Sequence, residues 1–524
     1  MTQPISTIDN SARTRVRHGI ILSIILIVAL LLRLHQLGAD SLWHDECWSV
    51  EMTVGRDARQ LMLPETGVID SAPDLFTLDP AFSWTSIWSH CTLDDHPALY
   101  AVCLRTWRGM FGDSDAALRS MSLVFSLLAI VLLFDAVHTF NGPVPALWTA
   151  ALMAVAIPQI QYAQEVRSYG LLMFEGALVL SALARLERTS SRIWPTIALT
   201  LGFGLMAITH YASIGTLGAV LFYSIIRLRK SARLCALLAI TIATVTDTLL
   251  WLPQLRRQLA VFDPNTVTWM AENRAHPLPA SLARMALSPG RCLVDTLGMA
   301  QAITACFAIA IFLLPLIALR RRPQFMLWWS WMIGTLLGVF AFDLVNHSRQ
   351  LGVIRYTLLA SPAVYALIAV TAGMIAARLS RPKLQHALAG LLLIAVAINI
   401  PRQAYHPEWR PDWRGVAAAI SSQIQPGEII CCVGPCDEGF WDPDTIYAPL
   451  SRYLHPFPSP VVMLQIPPRS EAPIENPMND PRVGKKVWAV VAGPGIDTHW
   501  PQAGWVIDSS QPFSGIGVLQ HLHR

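Results

Sequence analysis

Apolar segments long enough to cross a bilayer recur along this chain, and that recurrence constrains its fold more than any single motif does. Hydrocarbon about 30 Å thick is spanned by roughly 20 mainly apolar residues in helical conformation. Runs approaching that length fall near residues 17–36, 117–138, 144–162, 168–187, 193–210, 212–228, 234–252, 299–319, 325–343, 355–377 and 385–400. With 53% hydrophobic residues, 14% charged residues and a mean hydropathy of +0.43, a soluble globule is excluded. The expected fold class is an α-helical polytopic membrane protein of about eleven transmembrane helices, with a transmembrane domain over residues 1–400 and a C-terminal α/β module over residues 401–524.

Charge placement sets the expected orientation. The stretch Arg13-Thr14-Arg15-Val16-Arg17-His18 precedes the first run. Further basic clusters separate alternate runs: Arg185, Arg188 and Arg192; Arg227, Arg229, Lys230 and Arg233; Arg320, Arg321 and Arg322; Arg378, Arg381 and Lys383. The positive-inside rule then makes the N-terminus cytoplasmic. An odd number of crossings leaves the C-terminal module extracytoplasmic, and a multi-pass protein of a bacterial inner membrane is expected. The net charge of +4 resides in these orientation signals, not in a nucleic-acid footprint, so membrane lipids are expected partners and DNA and RNA are not. The nine cysteines have neither the density of a disulfide scaffold nor the spacing of a zinc site.

Two large outer regions result. Residues 37–116 are too long for a simple connection, include an amphipathic stretch over 98–111, and carry Trp43, Trp48, Trp84, Trp88 and Trp107, which suit an interfacial position. Residues 401–524 combine a helix expected over 413–423 with strand-like runs over 428–433 and 486–492. A third outer segment, 253–298, contains Asp263, Trp269, Glu272 and His276.

Titratable and aromatic residues gather at the expected outer ends of the helices. They are Trp43-His44-Asp45-Glu46, Asp94-Asp95-His96-Pro97, Gln164-Glu165-Val166-Arg167-Ser168-Tyr169, His210-Tyr211, and Asp343, His347, Arg349, Arg355 and Tyr356. Taken singly, an acid pair after a span is a helix cap or solvated turn, an Arg snorkels, and a Tyr belongs to an interfacial belt. Taken together, Arg167, Arg349 and Arg355 supply cations suited to a phosphate headgroup. A carboxylate beside such a group can take the proton of an acceptor hydroxyl, a contribution of about 10²- to 10⁴-fold. Glu175 and Asp247 lie inside apolar runs, where they either face an outward cavity or hydrogen-bond a neighbouring helix.

These residues resemble the GT-C class of polytopic glycosyltransferases, in particular the branch of protein O-mannosyltransferases and lipid A aminoarabinose transferases. The resemblance covers roughly residues 15–400 and rests on Arg33, the tetrad at 43–46, His96-Pro97-Ala98-Leu99-Tyr100, Phe111-Gly112 and Ala117-Leu118-Arg119. The 164–169 motif, His210-Tyr211, Arg355-Tyr356 and Pro362 complete it. It implies a sugar donor on a polyprenyl phosphate and a glycan, lipid or protein acceptor. Asp45 becomes the general base, Glu46 a support that orients its loop, and Glu165 a second acid that assists catalysis or binds substrate. The donor phosphate falls to Arg355 with Arg167 or His96, leaving Tyr169, His210, Tyr211 and Tyr356 as further substrate-binding residues. Ala98 departs from the second proline common in relatives, and His96 stands where some aminoarabinose transferases have a phosphate-binding lysine. No cofactor is called for, and a divalent metal is left open, because the acids lack a recognisable ligand spacing. The alternatives are a transporter or flippase for a lipid-linked glycan, which would show broken helices and inverted repeats, and a noncatalytic polysaccharide-assembly subunit.

Overall fold

The computed structural model describes residues 5–56, 62–64, 66–90, 96–261, 278–294, 325–405, 410–435, 442–466, 477–493 and 504–524. The expected span at 299–319, the cluster Arg320 to Arg322, and Asp94, Asp95, Asp263, Trp269, Glu272 and His276 lie outside those residues. The chain divides into a helical unit (residues 1–37, 119–253 and 275–405) and a sheet unit (residues 38–118, 254–274 and 406–524).

Among the described residues six helices are long and apolar enough to cross a membrane: Thr14–Leu34, Asp115–Asn141, Tyr169–Arg188, Lys230–Ala260, Phe325–Asn346 and Ile354–Arg378. The expected span at 144–162 is broken by a 65° bend between Pro143–Val155 and Ile157–Gln164, and counts as a seventh if the pair is one crossing. Three further expected spans are the shorter apolar helices Ile193–Ala207, Tyr211–Ile226 and Pro382–Ala397. At about 1.5 Å per residue these fall short of the hydrocarbon thickness. Length and apolarity among the described residues thus support six or seven crossings, where about eleven are expected from the sequence.

The helical unit is held together where backbones come close. Gly334 and Gly338, four apart on the helix Phe325–Asn346, face Gly215 at the start of the helix Ile214–Ile226. A Cβ on Gly338 would stand 2.6 Å from the Gly215 Cα, so only glycine fits this crossing. The hydroxyls of Thr216 and Thr335 meet at 2.7 Å across it.

The 65° bend frees backbone groups that hydrocarbon cannot satisfy, and Arg33 takes them. Its side chain is fully buried and donates to the carbonyls of Ala154 (2.9 Å), Met153 (3.2 Å) and Ala29 (3.2 Å) and to the Ser126 hydroxyl (2.9 Å). The guanidinium therefore caps the C-terminal end of the helix Pro143–Val155, where cationic donors are favoured. Beyond the break the Ile157 N–H donates to the Leu293 carbonyl at 3.1 Å. Gln164 in turn donates its amide to the carbonyls of Arg33 (3.0 Å) and His35 (2.7 Å), closing the end of the first helix.

Among the described residues the sheet unit contains six strands: β1 (Gly67–Ile69), β2 (Ile429–Pro435), β3 (Val461–Ile466), β4 (Lys486–Ala492), β5 (Val506–Phe513) and β6 (Gly517–His523), in the order β1-β3-β2-β4-β6-β5. The centre is parallel, Cys431 pairing with Val462 on β3 and with Ala489 on β4, while the outer pairings are antiparallel. Such buried central strands read as near-continuous apolar runs, which is why β2 and β4 are legible in the sequence. Edge strand β1 comes from the first outer region, far from its partner β3 along the chain. The expected helix at 413–423 is the helix Trp413–Gln423, whose first turn is capped by Asp412 Oδ1 accepting from the Gly415 N–H at 2.9 Å.

Asp115 ties this unit across the chain. It is 6% exposed and accepts from Arg452 Nη2 at 2.7 Å and from the Tyr453 hydroxyl at 2.6 Å, with Arg414 as a third donor. Burial pushes the Tyr453 phenol up and Asp115 adds to the shift, so Tyr453 stays a donor. Burial alone would lower the Arg452 guanidinium, but Asp115 outweighs it and holds the group above its ordinary value.

Candidate functional site

Asp45, Glu46 and His96 fall in the sheet unit, and Glu165, Arg167, Tyr169, His210, Tyr211, Arg355 and Tyr356 fall in the helical unit.

In the sheet unit the tetrad begins the helix His44–Met52. Glu46 is fully buried at the third helical position, and its Oε2 accepts from the Trp43 N–H at 3.3 Å. That is the return bond of a capping box, and it occupies Glu46 in holding the turn. Asp45, one position earlier, is differently placed. Its Oδ1 lies 2.9 Å from His44 Nε2, and its side chain is 15% exposed. Trp43 packs edge-on against the His44 ring with centroids 4.7 Å apart. The acid pair thus splits into a buried structural member and a partly accessible one with an imidazole beside it. The His96 carbonyl accepts from the Gln258 amide at 3.2 Å.

In the helical unit the bend and its caps lead directly into the 164–169 motif. After the turn Tyr162–Gln164, Glu165 is extended, and the helix Tyr169–Arg188 begins four residues later. Glu165 and Arg167 are 3% and 8% exposed, and the Arg167 carbonyl accepts from the Ser122 hydroxyl at 3.2 Å. A Cβ on Gly170 would lie 2.6 Å from the Ser122 carbonyl oxygen, so the motif is pressed against the helix Asp115–Asn141.

Four rings form a chain here. Tyr162 meets Tyr169 edge-on at 5.0 Å, Tyr169 lies 5.7 Å from His210, and His210 lies 6.3 Å from Tyr356. The Arg355 guanidinium sits 5.1 Å from the Tyr356 ring and donates to its hydroxyl at 3.3 Å. His210 Nδ1 accepts from the Ala212 N–H at 3.1 Å, so a neutral imidazole carries its proton on Nε2. The Tyr211 hydroxyl accepts from Trp251 Nε1 at 3.0 Å.

Several hydrogen bonds support these residues. Asp343 accepts from the Ser348 hydroxyl (2.6 Å) and from the N–H groups of Gln350 (2.8 Å) and Leu351 (2.9 Å), fixing the turn that delivers Arg355. Glu175 accepts from the Thr209 hydroxyl at 2.8 Å, joining the helix that starts at Tyr169 to the residue before His210. A hydrogen bond to the chain leading out of the neighbouring helix is thus the observed state of Glu175. Asp247 stands against the helix Ile193–Ala207, its Oδ1 3.3 Å from where a Cβ of Gly204 would be. Among the described residues no group of three His, Cys, Asp or Glu side chains gathers to hold a metal ion.

Long apolar helices, a broken span with its ends satisfied, and a small mixed sheet define a multi-pass membrane protein. Residues 95–251 match the family model for dolichyl-phosphate-mannose-protein mannosyltransferase. The chain is similar in structure to ArnT from Cupriavidus metallidurans. With that protein bound to undecaprenyl phosphate the TM-score is 0.52 at 14% identity, and with its apo state 0.53 at 13%, each covering 95% of this chain and 97% of the other. The apo oligosaccharyltransferase of Archaeoglobus fulgidus gives a TM-score of 0.46 at 13% identity over 82% of this chain and 64% of that one. No curated protein matches significantly. The fold is that of the GT-C class, and the chain resembles that class's O-mannosyltransferase and aminoarabinose transferase branch.

Proposed function

We propose that this chain is a membrane glycosyltransferase that moves a sugar from a polyprenyl-phosphate donor to an acceptor hydroxyl on the extracytoplasmic face. The observation that carries the reading is the gathering, in the helical unit, of buried Glu165 and Arg167, the Tyr169–His210–Tyr356 rings and Arg355 at the outer ends expected of three different helices. Arginine beside a row of aromatic rings suits a sugar carried on a phosphate. The fold shared with ArnT, which has been solved with undecaprenyl phosphate, is consistent with it.

Asp45 acts as the general base. With its proton on Nε2, His44 donates to Asp45 Oδ1 and orients the carboxylate to receive the acceptor. As the acceptor O–H proton passes to Asp45, the oxygen bonds to the anomeric carbon and the bond from that carbon to the phosphate oxygen breaks. The lipid phosphate departs with the electron pair and is stabilised by Arg355 and Arg167. Phosphate is a good leaving group, so no strong general acid is needed. His96, Tyr211 and Glu165 complete the substrate contacts, and Glu46 holds the loop.

A flippase for a lipid-linked glycan would draw on the broken helix. In this chain, however, two of the carbonyls freed at the break, those of Met153 and Ala154, are engaged by Arg33, so these are not open to a passing cation or headgroup. Purified protein in liposomes with a radiolabelled polyprenyl-phosphate sugar separates the readings. A transferase gives label on a soluble acceptor glycan or peptide together with free lipid phosphate, whereas label crossing the bilayer with the lipid intact contradicts the proposal.

A further inference from the structure

The sheet unit carries an open pocket of about 860 Å³ whose walls come from residues 72–78, residues 113–115, Arg108, Arg414 and the helix Pro443–Tyr453 with the loop after it. None of the residues assigned above to donor binding or proton transfer lines it. Its size is that of a small-ligand site.

The charges in its walls cancel. Among the described lining residues Arg108, Arg414 and Arg452 face Asp74, Asp113 and Asp115, three cations against three carboxylates. Arg108 pairs with Asp113, and Arg414 and Arg452 both pair with Asp115. Burial would raise the Asp74 carboxyl, but the Thr77 hydroxyl and the N–H groups of Phe76 and Thr77 hold it below its ordinary value, and it stays ionised. The lining charges sum to zero, and each lining guanidinium already has a carboxylate partner that a phosphate or carboxylate ligand would have to displace.

What the walls offer is aromatic surface with fixed polar groups around it. The half-buried Phe457 ring is the accessible one, backed by the fully buried Tyr447 ring with centroids 5.0 Å apart, and the Arg452 guanidinium covers the buried Phe76 ring at 5.6 Å. Tyr447 donates to the Pro73 carbonyl at 2.8 Å, and Arg108 donates to the Phe76 carbonyl at 2.8 Å. The loop is therefore pinned before any ligand arrives, which lowers the entropic cost of binding. Asp113, 53% exposed at its side chain, and the exposed His455 both supply acceptors at the surface: His455 Nε2 donates to the Arg452 carbonyl at 2.9 Å, which leaves Nδ1 of a neutral ring to accept.

We infer that this cavity is a binding site for a neutral, hydroxyl-rich ligand, a short uncharged oligosaccharide. Ring faces stack on the apolar side of such a ligand, and paired charges exchange hydrogen bonds with its hydroxyls without imposing a net field. Its role as the place where the acceptor is selected rests on the transferase reading; its ligand class does not.

Full-length protein in detergent, without lipid donor, is applied to an array of neutral and acidic di- to tetrasaccharides, so loss of sugar transfer cannot affect the result. Neutral glycans are expected to bind, and Phe457→Ala and His455→Ala each to weaken binding by about tenfold or more, the loss of roughly one good stacking or hydrogen-bonding contact, while circular dichroism and melting stay unchanged. Should either variant fail to fold, Thr77→Trp, which places bulk in the cavity from an exposed position, is expected to block the same glycans. Retention of no glycan, retention of acidic glycans alone, or binding unaltered in the folded variants would overturn the inference. Transfer that proceeds normally while no glycan binds would leave the transferase reading intact and remove only this site.

Discussion

Asp115 and Arg452, 337 residues apart in sequence, form an ion pair at 2.7 Å in which the two side chains are only 5% and 10% exposed. A buried pair is costly to break from one side, because the remaining charge stays buried without its partner. Asp115→Ala should therefore destabilise the sheet unit by about 3–5 kcal/mol. The double change Asp115→Leu with Arg452→Met should recover much of that loss, and denaturant titration of the full chain followed by tryptophan fluorescence measures both.

Glu428 gives this unit a predictable acid sensitivity. Burial would raise its carboxyl, but the Gln425 N–H (3.0 Å) and Trp488 Nε1 (2.9 Å), with His521 3.4 Å away, hold it below its ordinary value. A carboxylate lowered in the folded state contributes stability above its unfolded pKa and loses it as pH falls through the lower folded value. The melting midpoint of the full chain should thus drop as pH falls below about 4.3, the usual glutamate value, and Glu428→Gln should flatten that slope.

The cap that Arg33 places on the broken span predicts a different kind of loss. Arg33→Met keeps the bulk but leaves the Met153 and Ala154 carbonyls without their donor inside the apolar interior. Each unsatisfied group costs about 1–3 kcal/mol, so the melting temperature in detergent should fall clearly. Arg33→Lys should restore only part of it, since one ammonium cannot reproduce the planar fork.

Arg355 should be felt in donor binding. Arg355→Lys retains charge but loses the fixed geometry held by Tyr356 and the Asp343-capped turn. A charge-assisted hydrogen bond is worth about 1.5–3 kcal/mol, so KM for a polyprenyl-phosphate sugar should rise roughly tenfold or more, with a smaller effect on the dependence on acceptor concentration.

Much of this molecule can be read from the chain because its determinants are local. Apolar runs mark the helices, and the doubly buried strands β2 and β4 stand out as continuous apolar stretches. The edge strands β1 and β5 and the antiparallel β6 between β4 and β5 do not, because they are defined by pairing and not by their own composition. The ring chain from Tyr169 to Tyr356 is foreshadowed by aromatic residues clustering at expected helix ends. Its supports are less so: Asp343 is picked out as a helix-end residue but its role of holding turn N–H groups is not, and Thr209 and Ser122 act through hydrogen bonds to segments tens of residues away. The break at Ala156 is hidden because the Pro158 after it reads as one residue in an apolar run, and Arg33, 121 residues from the Ala154 carbonyl it caps, is what stabilises the bend.

The central claim is that the Asp45 carboxylate removes the acceptor proton, and Asp45→Asn tests it most directly, since the amide keeps the size of the group but cannot act as a base. Transfer from a radiolabelled polyprenyl-phosphate sugar by the purified variant, compared at equal donor occupancy, should fall in kcat by about 10²- to 10⁴-fold with donor binding preserved. Near-normal turnover by the Asp45→Asn variant would contradict the account.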